Sequence, residues 1–247
     1  MEIMKDRFSE HSKLYLSFRP TYPNQLYEFI YRHVNDFNCV WDCATGNGQA
    51  AVALCKKFSH VYATDISENQ LTNATIEPNI YYSISSAEKT TFASHSFDLI
   101  TVAQAAHWFN VALFFNEVKR VAKRDATLAI WGYGLLKVNP AIDEHIHHFY
   151  TQVVGSYWDK ERKLIDDHYR SLPFPFEEIP STAFQFSFDW TIHELQGYLT
   201  TWSSVQKFIR QNNQNPVLDL MKLMQPLWVS EKMKITFPLF LRLGKIC

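Results

Sequence analysis

The chain has 247 residues, 47% of them hydrophobic and 15% aromatic, with 24 basic and 25 acidic side chains and a formal net charge of −1. This is enough apolar material for one large core, and the absence of an overall positive field disfavours a nucleic-acid substrate. The opening Met1-Glu2-Ile3-Met4-Lys5-Asp6-Arg7 lacks the apolar centre of a signal peptide, and no later stretch reads as a membrane span, so a cytoplasmic protein without a membrane partner is expected.

Pro23 followed by Leu26, Phe29, Ile30 and Val34 predicts a helix ahead of the first strand. The apolar run ending in Val40-Trp41-Asp42 is that strand. A turn containing Gly46 and Gly48 leads into Ala51, Leu54, Cys55 and Phe58 at helical spacing, and Val61-Tyr62-Ala63-Thr64-Asp65 forms a second strand. Ser67 is a helix N-cap, Ile80 to Ile84 a third strand and Phe97 to Val102 a fourth. Asn110 caps a helix that buries Phe114, Val118 and Val121 and leaves Glu117, Lys119 and Arg120 toward water, and Thr127 to Trp131 is strand five. Alternation of this kind requires a parallel sheet with helices on both faces.

Beyond strand five the repeat stops. Helical runs are expected over Ile142 to Phe149 and Arg162 to Tyr169, and Thr191 and Asn215-Pro216 begin further helices filled by Tyr198, Leu199, Trp202, Leu218, Leu220 and Met221. Phe184, Phe186 and Phe188 alternate as a strand, as do Ile235 to Leu243. Pro238 removes a ladder donor from that last strand, so a bulge is expected there.

Two glycines two positions apart, directly after a strand, mark a backbone with positive φ or a ligand close to the main chain. The spacing Gly46-x-Gly48-x-x-Ala51, with Asp65 further on, also satisfies the dinucleotide fingerprint, which keeps a nicotinamide oxidoreductase open as an alternative. Asp42 opposes it: a carboxylate facing the turn repels a pyrophosphate but suits a ligand with an ammonium or a sulfonium. S-adenosylmethionine carries both cations and no phosphate.

Asp42-Cys43-Ala44-Thr45-Gly46-Asn47-Gly48 resembles the D-x-G-x-G-x-G motif of class I S-adenosylmethionine-dependent methyltransferases, in the methyltransferase type 11 group. Ala44 stands where the family has its first glycine, which restricts the backbone if that position needs positive φ. The resemblance continues through Ala87-Glu88, through Phe97 to Phe109, and upstream through Asp6-Arg7-Phe8 and Phe18 to Pro23, a trans-aconitate methyltransferase-like subgroup pattern. It implies a Rossmann-like, doubly wound, seven-stranded sheet with an antiparallel last strand and a helical lid. One domain over 1–247 is expected, with a cofactor-covering segment at 1–37, a cofactor-binding core at 38–135 and lid helices in 139–180 and 190–229.

On this resemblance S-adenosylmethionine is the cofactor, held by Asp42, Ala44, Thr45, Gly46, Gly48, Asp65 with the adjoining Ile66, Ala87, Glu88 and Gln104. The expected acceptor is a small molecule, with a carboxylic acid as the candidate, since Gln104-Ala105-Ala106-His107 is unlike the proline-rich motif of enzymes that methylate flipped bases. Tyr15, Arg19, Trp108, Tyr133 and Trp202 are candidate acceptor contacts, with Trp131 as a further pocket aromatic, and Arg19 is suited to an acid by a bidentate pair. His107 is the candidate general base, its ordinary pKa near 6.5 suiting proton abstraction at neutral pH. A cofactor-binding protein without catalysis is the other alternative, motivated by Ala44.

Metal ligation is not expected. Cys39, Cys43, Cys55 and His60 show no paired spacing, and Asp143, Glu144, His145, His147 and His148 offer only a one-turn pair on a helix. These cysteines and Cys247 are read as free thiols in a reducing compartment. Oligomeric state is not legible.

Overall fold

The computed structural model describes residues 18–246. The readings that involve Asp6-Arg7-Phe8, Tyr15 and Cys247 lie outside the described residues.

Helix α1 (Asn24–Tyr31) follows Pro23 and buries Leu26, Tyr27 and Ile30. Strand β1 (Cys39–Cys43) runs through the glycine turn into α2 (Gln49–Leu54), then β2 (His60–Asp65), α3 (Glu68–Thr72) and β3 (Ile80–Ile84). Strand β4 (Phe97–Ala103), a short 3₁₀ turn at Ala106–Trp108, α4 (Val111–Val121) and β5 (Ala122–Tyr133) complete the alternating half. The expected caps are present: Ser67 Oγ accepts from the Gln70 N–H and Asn110 Oδ1 from that of Leu113, each at 3.3 Å.

The second half contains α5 (Pro140–His148), α6 (Arg162–Asp166), β6 (Glu177–Ile179), β7 (Phe184–Trp190), α7 (Ile192–Thr200), α8 (Ser203–Asn212), α9 (Val217–Met224) and β8 (Met233–Ile246). Thr191 and Glu194 form a capping box at the start of α7. Helix α6 ends earlier than its pattern implies because His168 and Tyr169 take positive φ, +61° and +59°. Trp202, expected inside a helix, is instead the N-cap residue of α8.

The sheet order is β3-β2-β1-β4-β5-β8-β6, with β7 also paired to β8. Strands β1 to β5 pair in parallel, and β8 runs antiparallel to β5, β6 and β7. The doubly wound class expected from the sequence is therefore present, with eight strands among the described residues where seven were expected. The addition is β6, which lies within the stretch expected to be lid and joins the sheet against Lys245, Gly244 and Leu243.

Pro238 sits in an uninterrupted register, opposite Gln185, and makes no bulge. Its carbonyl accepts from the Gly134 N–H at 2.9 Å. Main-chain N and C=O of one strand residue point the same way, so the missing N–H faces the β5 side, just past the last β5–β8 register pair Tyr133–Leu239, and β7 pairs undisturbed.

Alternation along the strands divides the core. Val40, Leu99, Ala129 and Trp131 face α1, α2, α5 and α7 to α9, whereas Trp41, Ile100, Leu128 and Ile130 face α4 and α6. Glu117 was expected in water, yet it is only 6% exposed. The loop before β4 covers it: Thr90 donates through N at 2.7 Å and Oγ1 at 2.6 Å, and Arg120 through Nε at 2.9 Å. Those bonds, Arg120 and Thr90 together, hold its carboxyl down at about 2 against the effect of burial. Among the described residues no helix is long and apolar enough to cross a membrane.

Candidate active site

The strand order reverses between β1 and β4, and in a doubly wound sheet the crevice beyond the carboxyl ends at that point receives the ligand. Asp42 and Thr101 are register partners there. Asp42 is fully buried. Thr101 Oγ1 donates to its Oδ1 at 2.7 Å, and Thr45 Oγ1 donates to Oδ2. Burial nevertheless pushes its carboxyl up to about 6, the hydroxyls and the Ala51 N–H opposing the rise and the negative charge of Asp65 adding to it.

The turn after β1 places three alternate residues in the left-handed region: Ala44 (φ +54°), Gly46 (φ +58°) and Gly48 (φ +86°). Gly48 has a second constraint, since a Cβ there would stand 2.2 Å from the Tyr82 hydroxyl. The Thr45 N–H donates to Thr64 O at 2.9 Å, tying the turn to β2. At the end of β2, Asp65 accepts from the Gly46 N–H through Oδ2 at 2.8 Å and from the Ser67 N–H through Oδ1 at 2.9 Å. Ile66, beside it, is 40% exposed, an apolar side chain at the mouth of the crevice.

The remaining cofactor candidates reach the same edge. Ala87 is buried and Glu88 partly so. The carboxylate of Glu88 accepts from the Asn110 N–H at 2.9 Å, where the positive end of α4 favours an acid. Gln104 takes φ +57°. Its main-chain N–H donates to Trp131 O at 2.9 Å and its amide to Tyr133 O at 3.3 Å, which holds the β4 loop against the end of β5. Left-handed Ala44 and Gln104 are strained positions of the kind found around ligand clamps.

Arg19, Tyr133 and Trp202 converge on the lid side of the sheet. Arg19 Nη1 donates to the Tyr133 hydroxyl at 2.8 Å and Nη2 to Thr201 O at 3.4 Å, and its guanidinium carbon stands 5.4 Å from the centre of the Tyr198 ring. Its carbonyl accepts from the Gln49 amide at 3.4 Å, which links this segment to the first residue of α2. Tyr22 stands edge-on to Trp131 at 5.5 Å. Trp202 lies deeper, packed against Tyr150 and Trp158 at 5.7 and 5.6 Å, and Trp131 is fully buried.

His107 and Trp108 point elsewhere. His107 is 8% exposed, and its Nδ1 lies 2.9 Å from the hydroxyl of the fully buried Tyr169 on the α4–α6 face. Burial and the charge of Arg162 pull its pKa down to about 3. A neutral imidazole so weakly basic is poorly matched to proton abstraction at neutral pH, so this geometry opposes the general-base expectation. The Trp108 ring leans against it, tilted by 43° with ring centres 4.5 Å apart.

Several groups here carried no sequence signal. Thr101 meets Asp42 only through strand pairing, and Tyr82 of β3 meets Gly48 only across β2. The Asn47 Nδ2 and the Gln70 Oε1, both in residues 4% exposed, have no hydrogen-bond partner among the described residues. Among those residues no cluster of three or more His, Cys, Asp or Glu is placed to hold a metal.

The residues fit S-adenosylmethionine. Two acids, Asp42 and Asp65, repel one another across a turn that glycine keeps open, and a cation between them relieves that repulsion whereas a pyrophosphate increases it. Orphaned amide groups beside the turn match a ligand rich in donors and acceptors.

Comparison with known proteins agrees. Residues 41–130 match a family model described as a methyltransferase domain. A Dictyostelium discoideum protein named as a methyltransferase is 36% identical over 249 residues, covering 97% of this chain and 95% of its own. A Saccharomyces cerevisiae protein named as an S-adenosylmethionine-dependent methyltransferase is 22% identical over 238 residues, 82% of each chain. A solved structure from Anaeromyxobacter dehalogenans, described as a type II methyltransferase, superposes with a TM-score of 0.86 at 32% identity, covering 93% of this chain and 98% of that one. The nicotinamide alternative and the non-catalytic alternative fall with this result: the chain belongs to the class I S-adenosylmethionine-dependent methyltransferases.

Proposed function

We propose that this methyltransferase acts on a small molecule bearing an acidic group, which Arg19 orients. The observation that carries the reading is the position of Arg19: its guanidinium is held by a hydroxyl, a carbonyl and an aromatic face at the meeting of α2, the end of β5 and the α7–α8 corner. A planar fork so fixed is pre-organised for a carboxylate. Of the segments 139–180 and 190–229, α5 and α7 to α9 act as the lid over this side of the crevice, whereas α6 packs on the α4 face and β6 joins the sheet.

Bound S-adenosylmethionine supplies an electrophilic methyl group on a sulfonium. An acceptor carboxylate oxygen forms the new bond to that carbon as the carbon–sulfur bond breaks and its electron pair stays on sulfur. No proton has to leave, which agrees with the burial and weak basicity of His107. Alignment of two bound reactants supplies about 7–11 kcal/mol of such a barrier, so Asp65, Gly46 and Gly48 on one side and Arg19 and Tyr133 on the other are the residues assigned to it. Ile66 and Ala87 are placed beside the adenine, and Gln104 between the two reactants.

The test is an acceptor screen with tritiated methyl donor, run on wild type and Arg19→Ala. Carboxylate acceptors should gain a methyl ester, and the variant should raise their KM at least tenfold with S-adenosylhomocysteine affinity unchanged. Transfer only to uncharged acceptors, indifferent to Arg19, would overturn the reading.

A further inference from the structure

Gln70 lies in the first turn of α3, and its orphaned amide beside the turn has so far been matched to no particular group of the ligand. It is 4% exposed, and its Oε1 has no hydrogen-bond partner among the described residues. Its main-chain N–H is occupied, donating to Ser67 Oγ. A buried amide carbonyl without a donor is unfavourable, and an apolar side chain of the same length would avoid that cost.

The location of the amide says which donor is missing. Oε1 is the atom nearest to the place a Cβ on Gly46 would take, 4.0 Å away. The Gly46 N–H is itself held by Asp65 Oδ2, and the other Asp65 oxygen accepts from Ser67, three residues before Gln70. Asp65 and Gln70 thus line one crossing of the β1–α2 and β2–α3 turns. Each Asp65 oxygen already accepts a main-chain N–H, whereas a ribose diol brings two O–H donors.

We infer that Gln70 is a cofactor-binding residue: its Oε1 accepts a hydrogen bond from one ribose hydroxyl of the adenosyl group while Asp65 takes the other. A neutral acceptor does this without adding a third negative charge beside Asp42 and Asp65. The inference rests on the proposed role of Asp65 in holding the cofactor and takes the ribose as the part that Asp65 holds.

The experiment is calorimetric titration of wild type and Gln70→Met with S-adenosylhomocysteine and with its 2′-deoxy and 3′-deoxy ribose analogues, alongside melting of the unliganded proteins. Gln70→Met should bind S-adenosylhomocysteine about tenfold more weakly, should match wild type for one of the two deoxy analogues, and should melt no lower than wild type. Wild-type affinity in Gln70→Met, or an equal loss for all three ligands, would overturn the role of Gln70 while leaving the site at Asp65 standing. Failure of wild type to bind S-adenosylhomocysteine would overturn the site itself. Should Gln70→Met not fold, Gln70→Leu and the wild-type preference for the ribosyl over the deoxy ligands decide the question in the same way.

Discussion

Replacing Asp42 by asparagine should make the unliganded protein more stable and its cofactor binding weaker. The carboxyl of Asp42 ionises at about 6 in the fold against 3.8 in the open chain, principally because it is buried. At about 1.4 kcal/mol per pH unit, keeping it charged at neutral pH costs the fold about 3 kcal/mol. Between the two values the folded state holds the proton more tightly than the unfolded state, so this contribution to stability falls as pH rises from 3.8 through 6. Asparagine does not ionise; its carbonyl still accepts from Thr101 and its amide donates to the Thr45 oxygen, the two hydroxyls that now hold the carboxylate. Urea unfolding followed by the fluorescence of buried Trp41 and Trp131 should therefore give equal stabilities below about pH 4 and an advantage for Asp42→Asn growing to about 3 kcal/mol by pH 7. Calorimetry should show S-adenosylmethionine affinity reduced tenfold or more, the loss of a buried negative charge facing a cation. A variant less stable than wild type at pH 7, or a difference that does not change with pH, would refute the reasoning.

Ala44→Gly should stabilise the protein by about 0.5–1 kcal/mol, because the left-handed conformation at φ +54° costs an alanine about 1–2 kcal/mol and the greater unfolded freedom of glycine returns part of that; a lower urea midpoint would show that the methyl group packs usefully. His107→Gln should keep turnover within about threefold while costing about 1–3 kcal/mol of stability through the Tyr169 contact. With its pKa lowered to about 3 by burial, the stability His107 contributes is present above pH 6.5 and lost as pH falls toward 3, so wild type should show an acid destabilisation in that window that the variant lacks; a collapse of turnover with stability intact would restore His107 as a base. Asp65→Ala should weaken S-adenosylhomocysteine binding at least tenfold by calorimetry, as loss of a charge-assisted contact of about 1.5–3 kcal/mol requires, and unchanged binding would remove Asp65 from the site.

What the sequence determined by itself is the part governed by neighbours along the chain. Helical and strand periodicities located all five parallel strands and most helices, because a side chain's face depends only on its spacing. Ser67, Asn110 and Thr191 were legible as helix starts since a cap bonds its own helix two or three residues on. The Asp42 to Gly48 turn and Asp65 were legible because a doubly wound sheet collects every strand end at one edge. What only the tertiary structure decided are the pairings between distant segments: Thr101 against Asp42, Thr90 over Glu117, and Tyr169 against His107, from residues 59, 27 and 62 positions apart. Those contacts set burial and hydrogen bonding, and through them which acid is destabilised, which is stabilised and which imidazole stays neutral. Pro238 was misjudged for the same reason, since which side of a strand lacks a neighbour is a property of the assembled sheet. Local pattern names the groups at the crevice, and packing assigns their charge states.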